Sequence, residues 1–107
     1  MGRIDPVEAF TKALRAYLRD RGHILYSIAE ASRQKRLRVA LRGLWRRHKA
    51  EETGYEKFMD VVEEIKNCRE CLERLVEIGV EGIEEYEGEP YIIVDLEKLK
   101  RLTREKG

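Results

Sequence analysis

The chain has 107 residues, of which 40% are charged and 42% hydrophobic, too apolar for a disordered chain and well above the roughly 25% charge of an average globular domain. Its net charge of +1 conceals a split: residues 1–50 hold 13 Lys and Arg against 4 Asp and Glu, while residues 51–107 hold 9 against 17. No window has the 18 apolar residues needed to cross a bilayer, Met1 to Pro6 lacks the apolar core of a signal peptide, and two cysteines are too few for a disulfide framework.

These limits predict one cytoplasmic domain over 1–107, with a basic helical half (1–50) and an acidic helix-hairpin-helix half (51–107). The expected fold class is mostly α with one β-hairpin, an α+β helical bundle. Gln34 and Asn67 are the only side-chain amides, and this depletion beside abundant Lys, Arg and Glu predicts a thermophilic source.

The first helix is announced by Asp5-Pro6-Val7-Glu8. Asp5 can cap, Pro6 suits the first helical position, and Glu8 sits where a capping-box carboxylate reaches back. Val7, Phe10, Leu14, Tyr17 and Leu18 keep three-and-four spacing, and Gly22 is a natural stop. From Ile24 to Lys49 only Gly43 interrupts a helical pattern, but the apolar face turns: Ile24, Leu25 and Ile28 lie about half a turn from Leu37, Ala40, Leu41, Leu44 and Trp45. Two arrangements satisfy this. Either a break near Ser32, which could cap the second piece, lets both stripes face one core, or one long helix is gripped on opposite faces, as in an oligomer.

Glu51-Glu52-Thr53-Gly54 reads as a connection. Tyr55, Phe58, Met59, Val62, Ile65, Cys68, Leu72, Leu75 and Val76 then form another helical stripe, with Asn67 placed to cap a second helix and Gly79 to end it. Ile83 to Tyr86, a turn at Glu87-Gly88-Glu89-Pro90, and Tyr91 to Val94 predict a hairpin, after which Asp95 caps a last helix carrying Leu96, Leu99 and Leu102.

The stretch Cys71 to Gly79, followed by Ile83, Tyr86, Gly88 and Tyr91-Ile92-Ile93-Val94, resembles the helix-then-wing segment of winged-helix domains. The resemblance covers about residues 68–94 and implies that earlier helices pack against that helix. In the superfamily the helix before the wing enters the DNA groove. Here it bears Glu70, Glu73 and Glu77, and the wing adds Glu84, Glu85, Glu87 and Glu89, which phosphate would repel. Any nucleic acid is therefore expected at the other half.

There the chain offers a basic row. On one helix, Lys35, Arg38, Arg42, Arg46 and Lys49 would fall within about 80° of one another, with Arg33, Arg36 and Arg47 on the other flank of the apolar stripe. At 1.5 Å per residue the row would run about 21 Å, enough to follow several phosphates, and arginine favours bidentate phosphate contacts. The same row is compatible with ion pairing within or between chains, or with anionic lipid. Trp45 could stack on an unpaired base, but its place on the leucine face predicts a core role.

Cys68 and Cys71 form half a zinc site with no second half, since His23 and His48 are distant in sequence. A helix start at 68 would permit redox chemistry, yet the preceding residues read as helix and not strand, so both cysteines are expected as small core residues. No nucleophile has a base partner at catalytic spacing. The sequence therefore predicts a non-enzymatic protein without cofactor or metal, binding DNA or RNA through Arg33, Lys35, Arg36, Arg38, Arg42, Arg46, Arg47 and Lys49, and forming a homodimer. The alternative is an assembly protein whose basic and acidic faces pair between chains or with an acidic partner.

Overall fold

A computed structural model describes residues 2–104. In chain order the elements are α1 (Pro6–Ser32), β1 (Arg36–Ala40), α2 (Leu41–Trp45), α3 (Ala50–Thr53), α4 (Phe58–Lys66), α5 (Arg69–Ile78), β2 (Val80–Tyr86), β3 (Glu89–Asp95) and α6 (Leu96–Arg104). The fold is α+β, as expected, but the hairpin belongs to a three-stranded antiparallel sheet of order β1-β3-β2.

Helix α1 starts at Pro6, although the Asp5 side chain does not cap it. That carboxylate instead binds Arg74 at 2.5 Å, and its backbone carbonyl takes the Ala9 N–H at 3.0 Å. Gly22 does not stop the helix, because it packs in α1 beside Leu18 and Tyr26. At 27 residues α1 is about 40 Å long. It ends where Arg33 turns left-handed (φ 57°) and the Gln34 N–H reaches back to Ala29 O at 2.9 Å, satisfying a carbonyl the helix leaves free. Ser32 is thus a last turn and not a cap; its hydroxyl donates to Ile28 O.

The helix expected over residues 35–49 is absent. Arg36 and Arg38 point to solvent while Leu37 and Val39 turn inward, a period of two that fits a strand. β1 pairs with β3 from Arg36 opposite Asp95 to Ala40 opposite Tyr91. Backbone pairing on the Tyr91-Ile92-Ile93-Val94 strand overrides the helical preference of Leu, Arg and Ala in this stretch. α2 then buries Leu41 and Leu44.

The predicted connection at 51–54 contains α3, closed by Gly54 at φ 81°. The junction near residue 67 is real, with a shift of one residue: Asn67 ends α4, and the cap of α5 is Cys68, whose sulfur accepts the Cys71 N–H at 3.1 Å. Glu87 and Gly88 both have positive φ, the geometry of a two-residue hairpin loop whose twist suits its strands. Asp95 caps α6 as expected, accepting from the N–H groups of Glu97 and Lys98 at 3.0 and 3.2 Å.

The core lies where α1, α4 and α5 meet the inner sheet face of Val39, Val80, Ile92 and Val94. Phe10 and Phe58 are in ring contact at 5.5 Å. Leu14, Leu44, Tyr55, Ile65, Leu75 and Leu99 are among the large buried side chains around them.

Candidate nucleic-acid interface

Because residues 35–49 fold as strand, short helix and turn, the eight predicted basic residues do not form one row. Those on the sheet side face the acidic hairpin. Arg36 Nε meets the carboxylate of Glu81, the residue bulged out of the β2 register, at 2.5 Å. This hydrogen bond, then the charge of Glu81, holds the Arg36 guanidinium above its ordinary pKa. The Arg38 guanidinium lies 5.3 Å over the Tyr86 ring, and Arg42 pairs with Glu89. The two halves of the charge split therefore meet within one chain.

Arg47 is also engaged. It binds Asp20 at 3.2 Å, donates to Gly43 O at 2.6 Å and lies 5.2 Å over Tyr17. Lys49 is 3.5 Å from Glu52 at an exposed site, where such a pair is weak. Among the described residues, Arg33, Lys35 and Arg46 are exposed without an ion-pair partner; Arg33 and Lys35 stand at the far end of α1, away from α2.

A second group of cations, which the reading of residues 33–49 missed, lies on α1. Lys12, Arg15 and Arg19 recur at three and four residues and fall within about 60° on one helix face. With Arg47, His48 and Lys49 they line a groove of about 220 Å³ between α1 and the segment leading into α3. Five cations and one carboxylate, Glu52, line it, an excess of positive charge that the Asp20 partner of Arg47 lowers. The signal was present in the sequence as helical spacing. On the helix this basic face lies beside the apolar stripe, whose spacing it shares.

Trp45 is not a core residue. It is 45% exposed, because α2 ends there after turning Leu41 and Leu44 inward. Arg42 and Trp45 on α2 and Arg46, which caps it, stand at positions i, i+3 and i+4 and are all exposed. His48 closes the floor, its Nε2 2.7 Å from the carbonyl oxygen of Tyr55. The Tyr55 hydroxyl donates to Glu64, and burial first, then that bond, pushes its pKa up to about 12.

Cys71 is buried in the core and Cys68 packs against it, as expected, and the two are also joined as a disulfide. The cap at Cys68 turns the chain so that the two Cα atoms lie 5.1 Å apart, within the range a disulfide spans. Among the described residues, no group of three or more His, Cys, Asp or Glu side chains converges as a metal site would require, and no helix is long and apolar enough to cross a membrane. Glu70, Glu73 and Glu77 on α5 and Glu84, Glu85 and Glu87 on the hairpin are exposed. No family model matches the chain, and no curated protein or solved structure is similar enough to it to count as a match.

Proposed function

We propose that the protein binds nucleic acid by phosphate contacts with little reading of sequence. Its surface is the groove of Lys12, Arg15, Arg19 and Lys49 together with the outward side of α2. The observation that carries this reading is the exposed Trp45, flanked by Arg42 and Arg46 and close in sequence to the groove's Arg47 and Lys49. An exposed indole adds little to a core, whereas stacking on an unpaired base contributes roughly 1–3 kcal/mol. Single strands are therefore the preferred ligand. A winged-helix architecture belongs to the same proposal, supported by the order helix, strand, helices, hairpin and by β1 pairing on β3. The acidic α5 and wing keep the usual groove-reading mode out of this half. A cytoplasmic setting and a thermophilic source complete the reading, the latter supported by the two lone amides.

The test is fluorescence anisotropy with labelled single- and double-stranded DNA and RNA, titrated across salt. Expected are micromolar or tighter binding, tighter for single strands, and a log–log salt slope corresponding to about three or more phosphates. Trp45→Ala should weaken single-strand binding about tenfold or more. Absence of binding to every ligand at low salt would overturn the proposal.

A homodimer is favoured by a separate observation. Ile24 and Ile28, one turn apart on α1, are 42% and 54% exposed and border an open groove of about 530 Å³ with Leu25, Arg21 and Arg46. Pairing of basic and acidic faces between chains has less support, because Arg36 and Arg42 already hold Glu81 and Glu89 of their own chain.

A further inference from the structure

Cys68 and Cys71 are the only cysteines, and their bond closes a loop of four residues at the start of α5. A cross-link stabilises mainly by restricting the unfolded chain, and the restriction is smallest for the shortest loops. The corner it spans is held without it. The Cys68 N–H binds Ile65 O at 3.0 Å, the Leu72 N–H binds Cys68 O at 3.1 Å, and Ile65 and Leu75 are buried on either side. On chain entropy the disulfide contributes little for a cross-link, so it is a weak staple.

The two sulfurs are unequally placed. Cys71 is 5% exposed and packs in the core, whereas Cys68 is only partly buried at the corner between α4 and α5. The Cys71 N–H donates to the Cys68 sulfur, so one free donor from the first turn of a ten-residue helix, and with it the helix's positive end, lies at that atom. Once the bond is reduced, that donor and the helix's positive end stabilise negative charge on Cys68, the form in which a thiol attacks. A partly exposed cysteine at a helix start, bonded to a buried one three residues on, is an arrangement that favours thiol–disulfide exchange at the first of the two.

We propose that Cys68–Cys71 is a reversible thiol–disulfide site, with Cys68 the sulfur that exchanges with an external low-molecular-weight thiol of the glutathione type. In the reducing direction the external thiolate attacks the Cys68 sulfur, the Cys68–Cys71 bond breaks, and Cys71 leaves as a thiolate that takes up a proton. A second external thiolate then attacks the sulfur of the first in the mixed disulfide, releasing Cys68. The protein pair gains two electrons and two protons, and the two external thiols become one disulfide. The reverse sequence, starting from the Cys68 thiolate and the oxidised external disulfide, closes the bond again.

The experiment equilibrates the full chain in buffers of graded reduced-to-oxidised glutathione ratio, followed by acid quenching, maleimide labelling and intact-mass measurement. Expected is a single transition in which two labels are gained together, with the circular dichroism spectrum unchanged. Cys71→Ser should acquire one glutathione at Cys68, and Cys68→Ser should acquire it at the buried Cys71 about tenfold more slowly. Three results would each overturn the proposal: two labels at every ratio, a bond that opens only in denaturant, or equal rates for the two single variants. A bond whose reduction unfolds the chain would also overturn it, by making the disulfide a structural staple. The wild-type titration does not depend on either variant folding.

Discussion

The backbone of Arg3 crosses directly over Gly54, so that a β-carbon at position 54 would stand 2.8 Å from the Arg3 Cα. The Ile4 N–H to Thr53 O bond, 3.0 Å, fixes the two segments at that separation. Gly54 also has φ 81°, a left-handed conformation that costs an L-residue roughly 1–2 kcal/mol. Gly54→Ala should therefore lower stability by about 2–4 kcal/mol, combining conformation and collision. Gly88, at φ 80° with open space around it, isolates the first term. Gly88→Ala should cost about 1 kcal/mol, and urea unfolding of the two variants checks the difference.

Tyr55 gives the fold a dependence on alkaline pH. Its side chain is buried and its hydroxyl donates to Glu64, which together push its pKa up to about 12, against the opposing charge of Arg3 lying 4.6 Å over the ring. An unfolded tyrosine ionises near about 10, so between about 10 and 12 the folded chain holds a proton that the unfolded chain has lost. The contribution is complete below the lower value and fades as pH rises through the upper one. Tyr55→Phe should flatten that part of the stability profile and, near neutral pH, cost about 1 kcal/mol for the lost hydrogen bond. An ultraviolet titration should also show one of the five tyrosines ionising late.

Charge reversal distinguishes the groove from the sheet. Lys12→Glu with Arg19→Glu should weaken nucleic-acid binding across all sequences and reduce the log–log salt slope by about two. Arg36→Glu with Arg38→Glu, on β1, should change the slope less, because those cations already face Glu81 and Tyr86. Equal losses from the two pairs would remove the groove's special status.

For the exposed isoleucines the readout is size. Ile24→Glu with Ile28→Glu should convert a dimer into a monomer in sedimentation velocity, while leaving the melting temperature of the monomer within a few degrees because neither side chain is buried. A wild-type chain that is already monomeric at high concentration would contradict the assignment.

Much of the architecture is legible in local chemistry. Pro6 starting α1, Gly79 ending α5, Glu87-Gly88 in the hairpin and Asp95 capping α6 each act through their own backbone or their next few neighbours, so a linear reading finds them. The failures involve partners far away in the chain. Gly22 continues a helix because α1 is packed along its length, and Arg36–Ala40 becomes a strand because β3 offers it an edge. The alternation of Arg36, Leu37, Arg38 and Val39 is only four residues long and equally compatible with a helix flank, which is why the basic row was drawn on the wrong element. Trp45 depends on the same element: it is exposed at the end of a five-residue helix, where a longer helix would bury it. The Cys68–Cys71 bond carries no signal in the residues before it, which form a helix and not the strand that usually precedes a redox pair.

The position of β1 also sets an order of events in folding. β2 and β3 are joined by a two-residue loop and can pair as soon as both exist, whereas Arg36 must find Asp95 and Ala40 must find Tyr91, more than fifty positions away. Closing that span costs about 2 kcal/mol more chain entropy than closing the hairpin, which favours the hairpin as the template that β1 joins. During synthesis, Arg36 to Ala40 leaves the ribosome well before its partner strand. Until Tyr91 to Asp95 follows, the segment has no sheet to join and is free to sample the helix that its own residues prefer.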